Sequence, residues 1–227
     1  MHVRLGAVQD LPDCATISRN AMFDDNLTKY VAPYRHSHPE CLRKGILRRT
    51  KKRYYGGDII LVAVTDDKDA EWDGHEKVIG HLSASSTVVA KLKPSSFSWN
   101  GLELRLLQLE DLFVWYTHSD RSISRSKWSE FAAGKSAGHK DPFADFKEYW
   151  HVSHLSVDPT YHRRGVGTAL MENVKNLASK DTLPIVLLAS VQGKFLYSKT
   201  GFHDLGELNE GTLYAGNIMA WYPDASK

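Results

Sequence analysis

Alternating or continuous runs of apolar residues predict seven β-strands along this chain. The runs cover residues 2–8, 58–65, 77–86, 150–157, 184–189, 202–208 and 213–222. Apolar residues that recur every three or four positions predict helices between these runs. The helical segments cover residues 10–23, 37–55, 101–117, 122–133, 166–179 and 193–199. The interleaving of the two patterns is typical of a protein that packs helices against a sheet, the α/β (α+β) fold class.

The second helix carries signals at both of its ends. Ser-His-Pro-Glu at residues 37–40 has the pattern of a capping box with proline in the first turn, which predicts a helix start near Ser37. Gly56 and Gly57 predict its end, because glycine is common just past a helix C-terminus.

Residues 91–147 have the weakest pattern. No linker rich in Pro and Gly separates them from their flanks, so we expect a single domain over residues 1–227 with a helical insertion at about 91–147. The insertion contains many aromatic residues: Trp99, Phe113, Trp115, Tyr116, Trp128, Phe131, Phe143 and Phe146. That much aromatic surface is expected to be buried rather than solvated as a disordered loop. Three placements stay open, namely a lid over the functional site, a homodimer contact, and packing against the domain itself.

Composition narrows the class of protein. Hydrophobic residues make up 42% and charged residues 25% of the 227 positions, as in ordinary globular domains, and a net charge of +2 gives no bulk attraction for nucleic acid. The longest apolar run, Ile59 to Val64, is far shorter than the ~20 residues that cross a membrane. The two cysteines, Cys14 and Cys41, have neither a disulfide-framework nor a metal-ligand spacing. We therefore expect a cytoplasmic or nuclear protein with no metal and no membrane or nucleic-acid partner.

A local excess of positive charge lies between Lys29 and Arg53. This segment has nine Lys/Arg and a single acid, Glu40. Two interpretations stay open: a solvated basic face of a surface helix, or a surface that attracts an anionic ligand or a partner protein.

The turn before the helix at 166–179 carries the most informative motif, His-Arg-Arg-Gly-Val-Gly-Thr at residues 162–168. Gly165 and Gly167 permit a tight turn that exposes backbone N–H groups at the positive end of the helix dipole, which suits a pyrophosphate. Arg163 and Arg164 add charge-assisted donors for phosphate oxygens. Taken alone, the motif also fits a tight turn with solvated arginines.

Residues 155–171 resemble the acetyl-CoA-binding motif of the GNAT acetyltransferases, whose core is Gln/Arg-x-x-Gly-x-Gly/Ala. His162 occupies the first position, so one side-chain contact departs from the family pattern. A second stretch, residues 189–202, resembles the family's Ser-x-x-Gly-x-x-Leu-Tyr-x-x-x-Gly-Phe segment. The two motifs occur in the family's order with room for one helix and one strand between them, so the chain is identified as a member of the GNAT superfamily.

The resemblance implies a mixed, mostly antiparallel seven-stranded sheet, splayed between its fourth and fifth strands and flanked by helices. The amides of the CoA pantetheine would use backbone groups left unpaired in that gap. The resemblance also implies which residues hold acetyl-CoA as co-substrate: Leu155, Val157, Arg163, Arg164, Gly165, Val166, Gly167, Thr168, Ser190 and Tyr197.

Transfer of an acetyl group to an amine requires a base, because a typical alkylamine is protonated at pH 7. His151 is the candidate base, since strand alternation predicts that it shares a face with Leu155 and Val157 and its usual pKa is near ~6.5. Its alternative role is packing within the sheet. The same alternation turns His154 to the opposite face, where a structural role is favoured.

Tyr197 is the candidate general acid. It lies four residues before Gly201, and it matches the tyrosine that the family uses to protonate the CoA sulfur. A phenol with a pKa near ~10 holds its proton at pH 7 and can donate it. The alternative role is an aromatic ring that closes a short helix onto the sheet.

The predicted activity is N-acetyl transfer from acetyl-CoA to a primary amine, with a small-molecule acceptor favoured. A catalytically silent acyl-CoA-binding module and a protein or peptide acetyltransferase stay open as alternatives. Three other motifs were rejected. Residues 129–136 lack the first glycine and the preceding strand of a phosphate-binding loop, His151 and His154 lack metal-ligand geometry, and Ser190 lacks the glycines of a nucleophile elbow.

Overall fold

The computed structural model describes residues 1–88, 95, 97–136, 142–208 and 216–223. The strands of these ranges are β1 His2–Leu5, β2 Ile59–Val64, β3 Val78–Ser86, β4 Trp150–Val157, β5 Ile185–Ala189, β6 His203–Leu208 and β7 Gly216–Trp221. The α-helices are α1 Leu11–Met22, α2 Asn26–Val31, α3 Pro39–Tyr55, α4 Trp99–Thr117, α5 Arg125–Ser136, α6 Val166–Asp181 and α7 Lys194–Lys199. None of these helices has the length and apolar content needed to cross a bilayer. The predicted strand residues 213–215 lie outside the described residues.

The strands form a seven-stranded sheet in the order β1-β2-β3-β4-β5-β7-β6. Neighbouring strands are antiparallel except β4 and β5, which are parallel. A parallel pair needs a crossover connection, and α6 supplies it between these two strands. The predicted fold class is therefore confirmed.

The sheet opens at its centre, between β4 and β5. These strands pair only at Trp150 with Ile185, His151 with Val186, and Val152 with Leu187. Beyond these positions β4 continues along β3 while β5 continues along β7. The predicted gap between the fourth and fifth strands is therefore present, and it leaves one edge of β4 unpaired over residues 153–157.

Helices cover both faces of the sheet, because the strand residues alternate between two apolar cores. Leu61 and Ala63 on β2 belong to the core that includes Val166, Leu170, Met171 and Val174 of α6. Ile60, Val62 and Val64 point the other way and pack with Leu11, Cys14 and Ile17 of α1. The apolar face predicted for the helix at 166–179 is confirmed.

Two helix predictions near the N-terminus differ from the structure. The sequence gives little apolar periodicity over α2, which was not predicted, and the Asp25 side chain caps this short helix by accepting hydrogen bonds from Leu27 N and Thr28 N. The predicted capping box at 37–40 is wrong. The helix begins at Pro39, with His38 as N-cap and no side-chain hydrogen bond.

The insertion contributes two helices that pack in different ways. Trp128 and Phe131 of α5 pack with Ile123 on the cluster formed by Val31, Ala32, Leu42 and Ile46. Phe143 is buried against Val186 and Ala220 on the sheet. The expectation that the insertion buries its aromatic surface is met for these three rings by packing within the domain. It is wrong for Trp99, Phe113 and Tyr116 of α4, which are 71%, 65% and 76% exposed.

The basic segment between Lys29 and Arg53 is partly paired within the chain. Arg43 bonds Glu40 at 2.7 Å, Arg35 bonds Asp24 at 3.2 Å, and Arg48 bonds Asp111 of α4 at 3.0 Å. Lys52 also pairs with Asp111. Ion pairs with α4 and neighbouring turns therefore account for part of the charge excess.

Candidate active site

The turn at residues 162–168 enters α6 through two left-handed residues. Arg163 has φ 63° and Gly165, the N-cap, has φ 82°. No side chain caps this helix, so the N–H groups of its first residues, Val166, Gly167 and Thr168, have no acceptor in a preceding turn. These donors and the positive end of the helix dipole suit an anionic group.

The side chains around this turn hold its conformation. A ring nitrogen of His162, Nε2, lies 3.1 Å from the carbonyl oxygen of Val157, so His162 fastens the turn to the end of β4. Arg164 stacks over the Tyr161 ring at 5.0 Å and bonds Glu71 at 2.9 Å. A phosphate that recruited Arg164 would therefore compete with the Glu71 carboxylate.

The start of α6 meets α7 closely. A Cβ atom added at Gly167 would lie 3.0 Å from Leu196 Cδ2 and 3.8 Å from Val157 Cγ2. Glycine at this position therefore lets α6, α7 and the end of β4 converge at the mouth of the gap.

A cavity of about 150 Å³ lies in the gap between β4 and β5. Its lining residues are Met22, Val152, Ser153, His154, Leu155, Leu188, Ser190 and Tyr197. The structure thus brings together Leu155, Ser190 and Tyr197 of the predicted site, with Val157 and the α6 turn farther along the same gap. His151 is not among the lining residues, and neither is any described residue of the insertion.

Tyr197 is almost fully buried at this cavity, with 9% of its surface exposed. Burial raises its pKa to about 12, so the phenol keeps its proton at neutral pH. Its ring packs against Phe202, and a Cβ atom added at Gly193 would lie 3.1 Å from Tyr197 Cε2. Ring position is therefore fixed by close packing, while the hydroxyl is the only polar group that Tyr197 can present to the cavity.

The prediction that His151 shares a face with Leu155 and Val157 is wrong. A β-bulge interrupts the pairing of β3 with β4, so that Ser83 pairs with His154 but Ala84 pairs with Val152, which leaves Ser153 as an extra residue. The extra residue reverses the alternation along β4. Leu155 and Val157 therefore pack on the α6 core with Val152, and His151 lies on the other face.

His151 lies at the paired end of β4, where its ring centroid is 5.2 Å from that of Phe143. His154 was predicted to lie on the face opposite His151, but the bulge puts both on the α1 side. There the Ser18 hydroxyl of α1 lies 2.8 Å from His154 Nε2 and 2.7 Å from His81 Nε2. The sequence spacing alone gave no signal for the bulge, so Ser153 and His154 were missed as cavity residues.

The two imidazoles near Ser18 are neutral at physiological pH. Burial lowers the pKa of His81 to about 3. Burial first, and then repulsion from His81 and nearby arginines, hold the pKa of His154 well below its usual value. Since the Ser18 hydroxyl has one proton, it can donate to only one of the two rings, and it fixes the orientation of His154 beside the cavity.

Comparison with known proteins agrees with this geometry. A family model described as "Acetyltransferase (GNAT) domain" matches residues 126–213, which include β4, the turn, α6 and α7. A protein named "Acetyltransferase" from Stachybotrys chartarum is 22% identical over 208 residues, which cover 91% of this chain and 82% of that protein.

Solved structures share the fold. A histone acetyltransferase HPA2 and related acetyltransferase from Corynebacterium glutamicum superposes with a TM-score of 0.61 at 20% identity, covering 100% of this chain and 97% of that one. NAA60 from Arabidopsis thaliana, solved in complex with acetyl-CoA, gives a TM-score of 0.50 at 15% identity and covers 98% of both chains.

The splayed sheet, the uncapped α6 turn and the family match point to the same class of protein. Residues 126–213 match a GNAT acetyltransferase domain, and the chain shares its fold with solved acetyltransferases.

Proposed function

We propose that the protein transfers an acetyl group from acetyl-CoA to a primary amine of a small molecule. The observation that carries the proposal is the continuity of the gap, which runs from the uncapped start of α6 to a cavity that contains the Tyr197 hydroxyl. The N–H groups of residues 165–168 would hold the pyrophosphate, with Arg163 and Arg164 beside them. The free backbone edge at Leu155 and Val157, together with Ser190, would hold the pantetheine and the thioester.

The reaction is a direct displacement at the thioester carbonyl. The neutral amine nitrogen attacks the carbonyl carbon, and the tetrahedral intermediate expels the CoA sulfur as the C–S bond breaks. The amine loses one proton to a base, and the sulfur gains one from the Tyr197 phenol. Because its pKa is about 12, the phenol is almost entirely protonated at neutral pH, and reprotonation from solvent restores it after each turnover.

Two histidines compete for the role of base. His151 remains the sequence-based candidate, and it would need water molecules to connect it with the cavity. His154 lines the cavity directly and is neutral. Because its Nε2 lies 2.8 Å from the Ser18 hydroxyl and 3.0 Å from the Ser156 hydroxyl, the role of base requires the free lone pair to be on Nδ1. Its low basicity makes it a modest base, which suits partial proton transfer in a water chain. We favour His154 as the base because it lines the cavity and His151 does not.

A matched pair of variants separates these candidates. His154→Asn is expected to lower kcat by about ten- to a hundredfold at pH 7.5, at or below the lower end for a general base because of the low pKa. His151→Asn is expected to leave kcat within about threefold, since it removes packing against Phe143 rather than a cavity group. Steady-state kinetics with thiol detection measure both. The reverse order of effects would return the role to His151.

The small-molecule preference is supported by the size and lining of the cavity. Its volume of about 150 Å³ and its mixture of apolar side chains and hydroxyls fit a narrow, amine-bearing end of an acceptor. A protein acceptor would have to insert a side chain or a terminus into the same space.

A panel of acceptors tests the proposed function. Purified protein with acetyl-CoA is expected to release thiol with at least one of several polyamines, arylalkylamines and amino acids, and faster than with lysine-containing peptides. Preference for peptides would favour the protein acetyltransferase. Tight CoA binding without thiol release from any acceptor would favour a silent acyl-CoA-binding module.

A further inference from the structure

Helix α4 has two faces of different character. Its inner face contains Gly101 and Leu107, both buried, and carries Asp111, which pairs with Arg48 and Lys52 of α3. Trp115 is half-buried on the same side, with the Arg125 guanidinium 4.3 Å from its ring centroid. These contacts attach α4 to the domain along one side only.

The outer face is a stripe of exposed apolar side chains, which we call the α4 seam. The seam consists of Leu102, Leu106, Leu109, Phe113 and Tyr116, and their exposed fractions range from 46% to 76%. The spacing between successive members is four, three, four and three residues, the 3.5-residue period of a coiled coil. A solvated helix has no need of such a stripe, whereas a second helix would cover it along its whole length.

Charges beside the seam determine which helix fits. In heptad terms Leu106 and Phe113 are a positions, Arg105 is a g position, and Glu103 and Glu110 are e positions. In a parallel pair of two identical helices, each g residue faces the e residue of the next heptad in the other helix. Arg105 of each copy would then face Glu110 of the other, whose carboxylate lies 3.5 Å from Arg48 of its own chain and is half exposed. An antiparallel pair would instead bring Glu103 of one copy towards Glu110 of the other.

We infer that the α4 seam pairs in parallel with the α4 seam of a second copy of this chain, forming a twofold-symmetric homodimer. Two helices of this length would bury on the order of 1,000 Å² in total, the lower limit for a specific interface. A negatively charged lipid surface fits less well, because α4 carries Glu103, Glu110 and Asp111 against the single cation Arg105. The inference does not depend on the proposed acetyl transfer.

Molar mass tests the inference first. The chain has a mass of 25.6 kDa, and light scattering at tens of micromolar is expected to give twice that value. Leu109→Lys and Phe113→Lys are expected to reduce it to the mass of one chain without loss of folding, because both side chains are exposed. Leu5→Lys is the matched control, since Leu5 is 66% exposed on β1, and it should leave the mass unchanged. A wild-type mass of one chain, or a dimer indifferent to both α4 substitutions, overturns the inference.

Disulfide trapping tests the orientation. Leu102→Cys and Tyr116→Cys are prepared separately in a Cys41→Ser background, which removes the partly exposed native thiol. In a parallel pair each new cysteine lies opposite its own copy, so both variants should form covalent dimers under mild oxidation. An antiparallel pair with Glu103 facing Glu110 would separate the two copies of position 102 by roughly 14 Å and those of position 116 by roughly 28 Å, from the rise of 1.5 Å per residue. Failure of both variants to cross-link contradicts the parallel arrangement, and so does an unmodified Cys41→Ser chain that cross-links equally well.

Discussion

Gly165→Val is expected to weaken CoA binding by about a hundredfold or more, while the protein remains folded. Gly165 has φ 82°, a region that a β-branched residue almost never adopts. The turn must therefore change shape, and the N–H groups at the start of α6 would no longer converge on one anion. Hydrogen bonds to a charged group contribute roughly 1.5–3 kcal/mol each, so loss of two corresponds to at least this factor. Isothermal calorimetry with CoA measures the effect.

Gly57→Val is the matched control for backbone strain. Gly57 has φ 96° at the end of α3, and a Cβ atom there would meet nothing within 4 Å, as at Gly165. Both variants should lose similar stability in urea, but only Gly165→Val should lose affinity. An unchanged affinity for Gly165→Val would remove the assignment of the α6 turn as the pyrophosphate site.

Tyr197→Phe is expected to lower kcat by about 10² to 10⁴, with a much smaller change in the KM for acetyl-CoA. Phenylalanine keeps the ring that packs on Phe202 and Gly193 and removes only the hydroxyl. Without a donor, the sulfur must leave as a thiolate or wait for a proton from water. Steady-state kinetics over pH 6–9 measure kcat and KM separately.

Tyr55→Phe provides the control for loss of a buried phenol. Tyr55 is 7% exposed, similar to Tyr197, but it lies at the end of α3 and does not line the cavity. Its substitution should leave kcat unchanged. If Tyr197→Phe also kept full turnover at pH 7, protonation by solvent would suffice and the general-acid assignment would be wrong.

Much of the architecture around the gap was predictable because local signals and long-range packing agree there. The predicted strand at 150–157 and β4 have the same bounds, and the apolar face of the next helix follows its period. Gly165 and Gly167 lack side chains that would obstruct a tight turn, so a tight turn could be predicted from the residue types. Gly165 adopts a left-handed conformation, which is consistent with the predicted tight turn.

The side of β4 on which each histidine lies could not be predicted. Strand alternation holds only while every residue is paired, and the extra residue at Ser153 depends on how β3 pairs with β4. This one extra residue places His151 on the face of the sheet opposite Leu155 and Val157. Residues Ser18 and His81, which hold His154, lie far from it in the sequence, and no local pattern links them.

The insertion was difficult for a different reason. Its aromatic content predicted buried rings, which holds for Trp128, Phe131 and Phe143 but not for three rings of α4. Composition does not specify which rings are covered or by what. Trp128 and Phe131 are covered within the chain, whereas the leucines of α4 have the period of a helix partner. Only the exposure of individual side chains separates these outcomes.

The short pairing of β4 with β5 has an energetic consequence for the protein as a whole. Three residue pairs join the ladder of β1 to β4 with the ladder of β5, β7 and β6, so the two half-sheets have few main-chain bonds in common. A cofactor that bonds both free edges would act as an additional strand between them. Because such a cofactor would bind the folded protein and not the unfolded chain, its binding would raise the free energy of unfolding. The free energy of unfolding of this protein would then depend on how much of it has the cofactor bound.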